Sequence, residues 1–170
     1  MPTGLKQSSS VVSVGFSAIE AAPNTLAQSQ VDLNLSPLDR EVFVVLAVNI
    51  DTDFPDALAG TDTAVRAALT TTRQTIMPTL QDANCLSRIN SSIRAVGFAD
   101  GGVGFMSAAL ETPPSTLDYI GIIATNDFFV QVQGTNNIGV SGCSGKMYGY
   151  RAVASGDIYA ALVQSEVLSA

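Results

Sequence analysis

Histidine and tryptophan are both missing from this chain of 170 residues, and lysine occurs only twice. Without histidine, the chain lacks the side chain that most often transfers protons near neutral pH, as well as every His-based nucleophile pair and metal site. Without tryptophan, and with only 6% aromatic residues, it is poorly supplied for a carbohydrate cleft. We therefore expect a protein that is not an enzyme. We also expect no cofactor, with Ca²⁺ as the single candidate.

Charged residues are also scarce, at 14% against a typical value of about 25%. The apolar share is nevertheless 46%, and the net charge is −7. A neutral surface on so apolar a chain indicates faces that neighbouring proteins cover, because free soluble domains usually carry more charge. Four of the six arginines lie within residues 66–94. This segment is expected to form strands, which would distribute these arginines over the surface rather than cluster them. We therefore expect no direct contact with nucleic acid, which needs clustered basic residues.

The two cysteines, Cys85 and Cys143, lie too far apart for a CxxC motif. Two buried thiols are expected, with a disulfide left as the alternative. No stretch approaches the roughly 18 apolar residues that a membrane-spanning helix needs, so no membrane association is expected.

Short strand-like segments separated by turn residues recur along the chain. The strongest is residues 41–50, whose alternate apolar residues are expected to line one face: Val42, Val44, Leu46, Val48 and Ile50. Further strands are expected at residues 11–17, 30–35, 63–73, 86–98, 103–110, 119–124, 128–133 and 146–154. This pattern predicts an all-β fold, an antiparallel β-sandwich resembling a jelly roll. The rival immunoglobulin pattern needs a tryptophan between its cysteines.

The hydrophobic period changes near the C-terminus. Ser155 or Asp157 is expected to cap a short helix over residues 158–167, with Ile158, Ala161 and Leu162 on one face. So short a helix is unstable alone and must pack on the sandwich or on a neighbour. Residues 1–29 are expected to form an N-terminal arm or edge strand, and residues 30–170 a single sandwich domain.

Two groups of residues stand out as candidate sites. Asp51, Asp53 and Asp56 crowd carboxylates into one loop, as a Ca²⁺ site requires, although the EF-hand pattern fails at Pro55. The competing interpretation is a solvated acidic loop. Tyr148 and Tyr150 share one face of the last strand, and tyrosine is enriched where a surface becomes an interface.

Residues 35–51, 118–137 and 148–166, which read LSPLDREVFVVLAVNID, DYIGIIATNDFFVQVQGTNN and YGYRAVASGDIYAALVQSE, resemble small virion structural proteins of marine bacteriophages. This resemblance implies a capsid-associated, non-enzymatic protein located in the virion. It carries over no functional residue, because such proteins have no defined active site.

The lack of a basic N-terminal arm then favours a capsid decoration (cement) protein that binds the outer surface of a phage capsid. Its expected partners are copies of itself, arranged as a trimer, and a major capsid protein. The alternative is a single jelly-roll capsid protein that forms the shell itself. An alternative of another class is a Ca²⁺-dependent adhesin or receptor-binding module.

Overall fold

The computed structural model describes residues 2–96, 105–109 and 117–169. Over these residues the chain forms ten strands followed by one helix. In chain order they are β1 (Leu5–Gln7), β2 (Val12–Ile19), β3 (Ala27–Asp32), β4 (Glu41–Thr52), β5 (Thr63–Thr70), β6 (Cys85–Arg94), β7 (Phe105–Ala109), β8 (Gly121–Ile123), β9 (Asp127–Thr135), β10 (Gly142–Ala154) and α1 (Gly156–Leu168). Within this part of the chain, no helix is long and apolar enough to cross a membrane.

The strands form two antiparallel sheets. Sheet 1 has the order β2-β10-β4-β8, with β1 continuing the β2 edge along β10, and sheet 2 has the order β3-β9-β5-β6-β7. Successive strands from β2 to β5 alternate between the sheets, and so do β8, β9 and β10. These orders and this alternation are those of a jelly roll, so the predicted fold class is confirmed. Within residues 1–29, β1 and β2 both pair with β10 at the edge of sheet 1.

The main core lies between the two sheets. Strands β5 and β9 supply alternate residues to it, as a strand with one inward face requires. Phe16 of β2 and Phe128 of β9 meet edge to face in this core, with ring centroids 6.0 Å apart. This packing joins the sheets across the sandwich.

Strand β4 differs from the prediction that its alternate apolar residues line a single face. The pairing with β10 skips Leu46, since Val45 lies opposite Gly149 and Ala47 opposite Tyr148. This β-bulge adds one residue to β4. The side chains after Leu46 therefore point to the face opposite to the one that strict alternation predicts. Val42 and Val44 therefore face outward, whereas Val48 and Ile50 point into the core between the sheets. The single-face prediction is wrong beyond Leu46.

Helix α1 packs on the outer face of sheet 1. Its side chains Ile158, Tyr159, Leu162 and Val163 contact a cluster on β4 and β10. The helix begins at Gly156 with Ser155 as N-cap, although the Ser155 side chain makes no capping bond. Ala161, which was expected on the packed face, is exposed.

Several strand limits differ from the sequence pattern. Strand β10 begins at Gly142 rather than at residue 146, because Gly142 pairs with β2 and residues 143–145 pair with both β2 and β4. Strand β5 ends at Thr70 rather than at residue 73, and β1 was anticipated only in that residues 1–29 were expected to be an arm or an edge strand. Strand β7 pairs with β6, in line with the predicted hairpin, but the turn predicted at residues 99–102 lies outside the described residues.

Candidate functional site

One end of the sandwich, here called the loop end, is formed by residues 19–20, 53–62 and 136–142. Two carboxylates fix its backbone. Glu20 is buried, and its Oε1 and Oε2 accept hydrogen bonds from the backbone N–H groups of Gly134 and Ser141, at 2.7 and 2.8 Å. Asp53 Oδ2 accepts one from the Gly142 N–H at 2.7 Å. Hydrogen bonds to charged acceptors are stronger than neutral ones, so the connection between β9 and β10 is held firmly.

Buried Asn137 ties the same connection to the rest of the loop end. Its Oδ1 accepts from the Asp56 N–H at 2.9 Å, and its Nδ2 donates to the Ala64 carbonyl at 2.9 Å. Its backbone N–H and carbonyl both bond the Asn24 side chain, each at 2.8 Å. All four polar groups of this residue are therefore engaged within the chain.

Four large apolar side chains are exposed on this fixed backbone. Ile19 is 67% exposed, Phe54 78%, Ile138 73% and Val140 47%. Hydrogen bonds hold together the segments that carry these side chains. Ile19 pairs with Gly142 across β2 and β10, and the Ile138 N–H donates to Asp56 Oδ2. Single exposed apolar residues are ordinary, but a group of them at one place marks an interaction surface. We call these four residues the apolar end patch.

The aspartates that were predicted to bind calcium lie at this end. Asp53 and Asp56 direct carboxylate oxygens at backbone N–H groups, those of Gly142 for Asp53 and of Ile138 and Gly139 for Asp56. Asp51 is exposed at the end of β4. In the described ranges, no three or more acidic or cysteine side chains are grouped so that they could hold a metal ion. Calcium binding stays a prediction, and the part that Asp53 and Asp56 play in fixing the loop was missed because their partners lie more than 80 residues away.

A groove of about 610 Å³ beside the loop end is lined by residues of β2, β3, β4 and β10. Asp51, Asp53 and the hydroxyl-bearing Ser17, Ser29 and Ser144 are among its lining residues. Its lining can therefore accept and donate hydrogen bonds. One of its two carboxylates, that of Asp53, is already occupied by the Gly142 N–H.

The two tyrosines that were predicted to form an interface lie in different surroundings. Both lie on the outer face of sheet 1, because side chains alternate along β10 and the neighbouring Met147 points into the core. Tyr150 is only 7% exposed and packs in the cluster beneath α1. Tyr148 lies beyond the helix and is 38% exposed, with Lys146 exposed two positions away. Of the pair, only Tyr148 is accessible to a partner, and an interface role for it stays a prediction.

Glu166 is a buried carboxylate that the sequence did not single out. Its Oε2 accepts from the backbone N–H groups of Ala124 and Thr125, at 3.0 and 2.8 Å, and so holds α1 to the turn after β8. Within the described residues, its Oε1 and the buried Oγ1 of Thr71 have no hydrogen-bond partner. Both residues line a cavity of about 210 Å³. Burial raises the pKa of Glu166 to about 7.

Cys85 and Cys143 form no disulfide with each other; Cys143 is buried as expected, whereas Cys85 is half-buried. Burial is the main cause that raises the pKa of the Cys143 thiol to about 11. The thiolate is the reactive form of cysteine, so Cys143 is inert near neutral pH.

Comparison with known proteins identifies no family. No family model matches the chain, and no curated protein matches it. A solved structure of Desmodium yellow mottle tymovirus matches with 15% sequence identity and a TM-score of 0.28, covering 91% of this chain and 93% of the other. A TM-score this low does not bear on function.

Proposed function

We propose that this chain is a virion structural protein, and more narrowly a capsid decoration protein that binds the outer surface of a phage capsid. The observation that carries the proposal is the apolar end patch on its fixed loops. A rigid backbone that presents large apolar side chains to solvent is suited to binding another protein surface, because little conformational freedom is lost on contact.

The fold supports a structural role. Jelly rolls serve as viral capsid domains and as lectin domains, and a fold alone does not select between such functions. The absence of tryptophan and the low aromatic content disfavour a lectin. The three stretches that resemble virion proteins of marine bacteriophages favour the capsid-associated role.

Charge favours the outside of the capsid. The net charge is −7, and the only lysine before β2 is Lys6, which lies in the edge strand β1. A surface that contacts a packaged genome needs many cationic side chains, because each phosphate contact neutralises one charge. The decoration role therefore agrees better with this chain than a position against the genome.

A shell-forming jelly-roll protein is the second candidate. The complete strand orders of both sheets favour it, because they are those of a whole jelly roll and not of a fragment. In that case the chain would build the capsid wall from many copies of itself.

Sedimentation velocity and negative-stain electron microscopy of the purified chain, over a wide concentration range, separate these outcomes. A decoration protein is expected to form a small symmetric oligomer, a trimer, and no particles. Closed particles would replace the decoration role by the shell role. A chain that stays monomeric up to millimolar concentrations would contradict both.

A further inference from the structure

The cavity of about 210 Å³ lies beside the C-terminal turn of α1, and we call it the helix-end cavity. Its described lining comes from Thr71, residues 83–86, residues 120–122 and the last two turns of α1 with its C-cap. Three of these residues, Ala83, Ser165 and Ser169, are exposed. Two others, Glu166 and Thr71, are buried. The cavity therefore opens to solvent near the three exposed residues and has Glu166 and Thr71 farther in.

The two buried residues of this cavity each carry a polar atom without a partner. Glu166 is only 8% exposed and Thr71 only 4%. Glu166 Oε2 is held by the N–H groups of Ala124 and Thr125. Among the described residues, however, neither Glu166 Oε1 nor Thr71 Oγ1 has a hydrogen-bond partner. Because an unpaired buried polar atom is costly, above all on a charged group, a hydrogen-bond donor that enters the cavity would be stabilising.

The electrostatic surroundings of the helix-end cavity favour a cation. The C-terminal end of a helix carries the negative end of its dipole, and the last turn of α1 holds no basic side chain. None of the described lining residues is a lysine or an arginine. The carboxylate of Asp127 places a further negative charge near Glu166. A positively charged donor is therefore favoured over a neutral one.

Apolar side chains form much of the remaining wall. They are Leu86, Ile120, Ile122 and Leu162. A Ca²⁺ ion fits this lining poorly, because it takes about 6–8 oxygen ligands and Glu166 is the only carboxylate among the described lining residues. A ligand that joins one cationic donor group to an apolar chain would use both parts of the wall.

We propose that the helix-end cavity binds a primary alkylammonium group, whose ammonium donates to Glu166 Oε1 and Thr71 Oγ1 while its alkyl chain contacts Ile122 and Leu162. An ammonium group has three donors and no acceptor, so it can satisfy both oxygens at once. The space is sufficient for a short alkyl chain, because a cavity of about 150 Å³ in another protein holds benzene. This site goes beyond the proposed function and does not depend on it.

An NMR titration of the full chain with n-butylammonium chloride at pH 8 tests the proposal. The buffer is phosphate, because Tris is itself a primary amine. We expect saturable shifts of the amide signals of Ala124 and Thr125, which donate to the same carboxylate. The neutral n-butanol should bind at least about tenfold more weakly, since it lacks the charge. At pH 5 the affinity for the amine should also fall at least tenfold, because burial raises the pKa of Glu166 to about 7 and the carboxyl group is then protonated.

Three variants separate this site from binding elsewhere on the chain. Glu166→Gln keeps the shape of the side chain but not its charge, so it should weaken amine binding at least about tenfold and remove its dependence on pH. Thr71→Val removes one acceptor and should weaken binding about fivefold. Asp157→Asn removes an exposed carboxylate from the same helix and should leave binding unchanged. Thermal unfolding checks that each variant is folded.

The absence of saturable shifts up to decimolar amine would mean that water alone fills the cavity, and it would overturn the proposal. Equal binding by wild type and Glu166→Gln, or equal binding of n-butanol and the amine, would overturn it as well. A lysine with both its backbone ends blocked then identifies the source of the alkylammonium group. If it binds as tightly as n-butylammonium, the site accepts a lysine side chain of a partner protein, and if only n-butylammonium binds, the site takes a free amine. None of these results alters the sedimentation test of the proposed function.

Discussion

Two buried glutamates fix different parts of this molecule, and they differ in how fully they are bonded. Glu20 uses both oxygens to hold the connection between β9 and β10. Glu166 uses Oε2 to hold α1, while its Oε1 has no hydrogen-bond partner among the described residues. The hydrogen bonds to this carboxylate do not offset the loss of its hydration, so burial raises the pKa of Glu166. Folding therefore disfavours the charged form of the Glu166 carboxylate.

The stability of the chain should depend on pH through Glu166. The folded chain keeps this proton up to about pH 7, whereas the unfolded chain releases it near 4.5, the ordinary pKa of a glutamate. The favourable contribution is therefore complete below about pH 4.5 and is lost as the pH rises through about 7. Glu166→Gln should raise the free energy of unfolding at pH 8, relative to wild type, by on the order of 2 kcal/mol.

Urea unfolding of both proteins at pH 5 and pH 8 checks this expectation. The difference between them should be larger at pH 8, since that is where the wild-type carboxylate must be charged. Asp157→Asn removes an exposed carboxylate from the same helix and serves as the control. An equal difference between wild type and Glu166→Gln at both pH values would contradict the argument.

At the scale of single elements, the bulge in β4 decides which residues face the core. It lies opposite the junction of Tyr148 and Gly149 in β10. A Cβ atom at Gly149 would collide with the Val44 carbonyl oxygen and the Phe43 ring. The bulged pairing therefore needs glycine at this position for space, not for an unusual backbone angle.

Gly149→Ala should consequently destabilise the chain by about 1–3 kcal/mol, the usual cost of overpacking a core. Gly15→Ala is the matched control, because it lies in β2 on the other side of β10 and a Cβ there would meet nothing within 4 Å. Thermal or urea unfolding of the two variants measures the difference. Equal stability of the two would mean that the strands separate at little cost.

For the whole molecule, the position of the apolar end patch matters most. The patch lies at the loop end of the sandwich, whereas α1 packs on the outer face of sheet 1. A symmetric oligomer that leaves its loop ends exposed would present several equivalent apolar patches.

The apolar end patch should be accessible in the oligomer. Phe54→Ser combined with Ile138→Ser is expected to lower the fluorescence of a bound hydrophobic dye while leaving the sedimentation coefficient unchanged. Leu38→Ser provides the control, because Leu38 is even more exposed, at 94%, but precedes β4 at the opposite end. Loss of the oligomer in the double variant would instead place the patch between copies.

Local signals were enough to predict the all-β class, the strong strand at residues 41–50 and the short C-terminal helix, because hydrophobic period and turn residues are read along the chain. The sequence also predicted that Tyr148 and Tyr150 share a face, which follows from strand alternation alone.

Which surfaces are covered and which charges lie together depends on how distant strands pair in the folded chain. The bulge at Leu46 depends on pairing with β10, the bonds of Asp53 and Glu166 reach residues far along the chain, and Arg66 joins Arg88 only because β5 and β6 are neighbours. Such contacts depend on the register between distant strands, which no local pattern encodes.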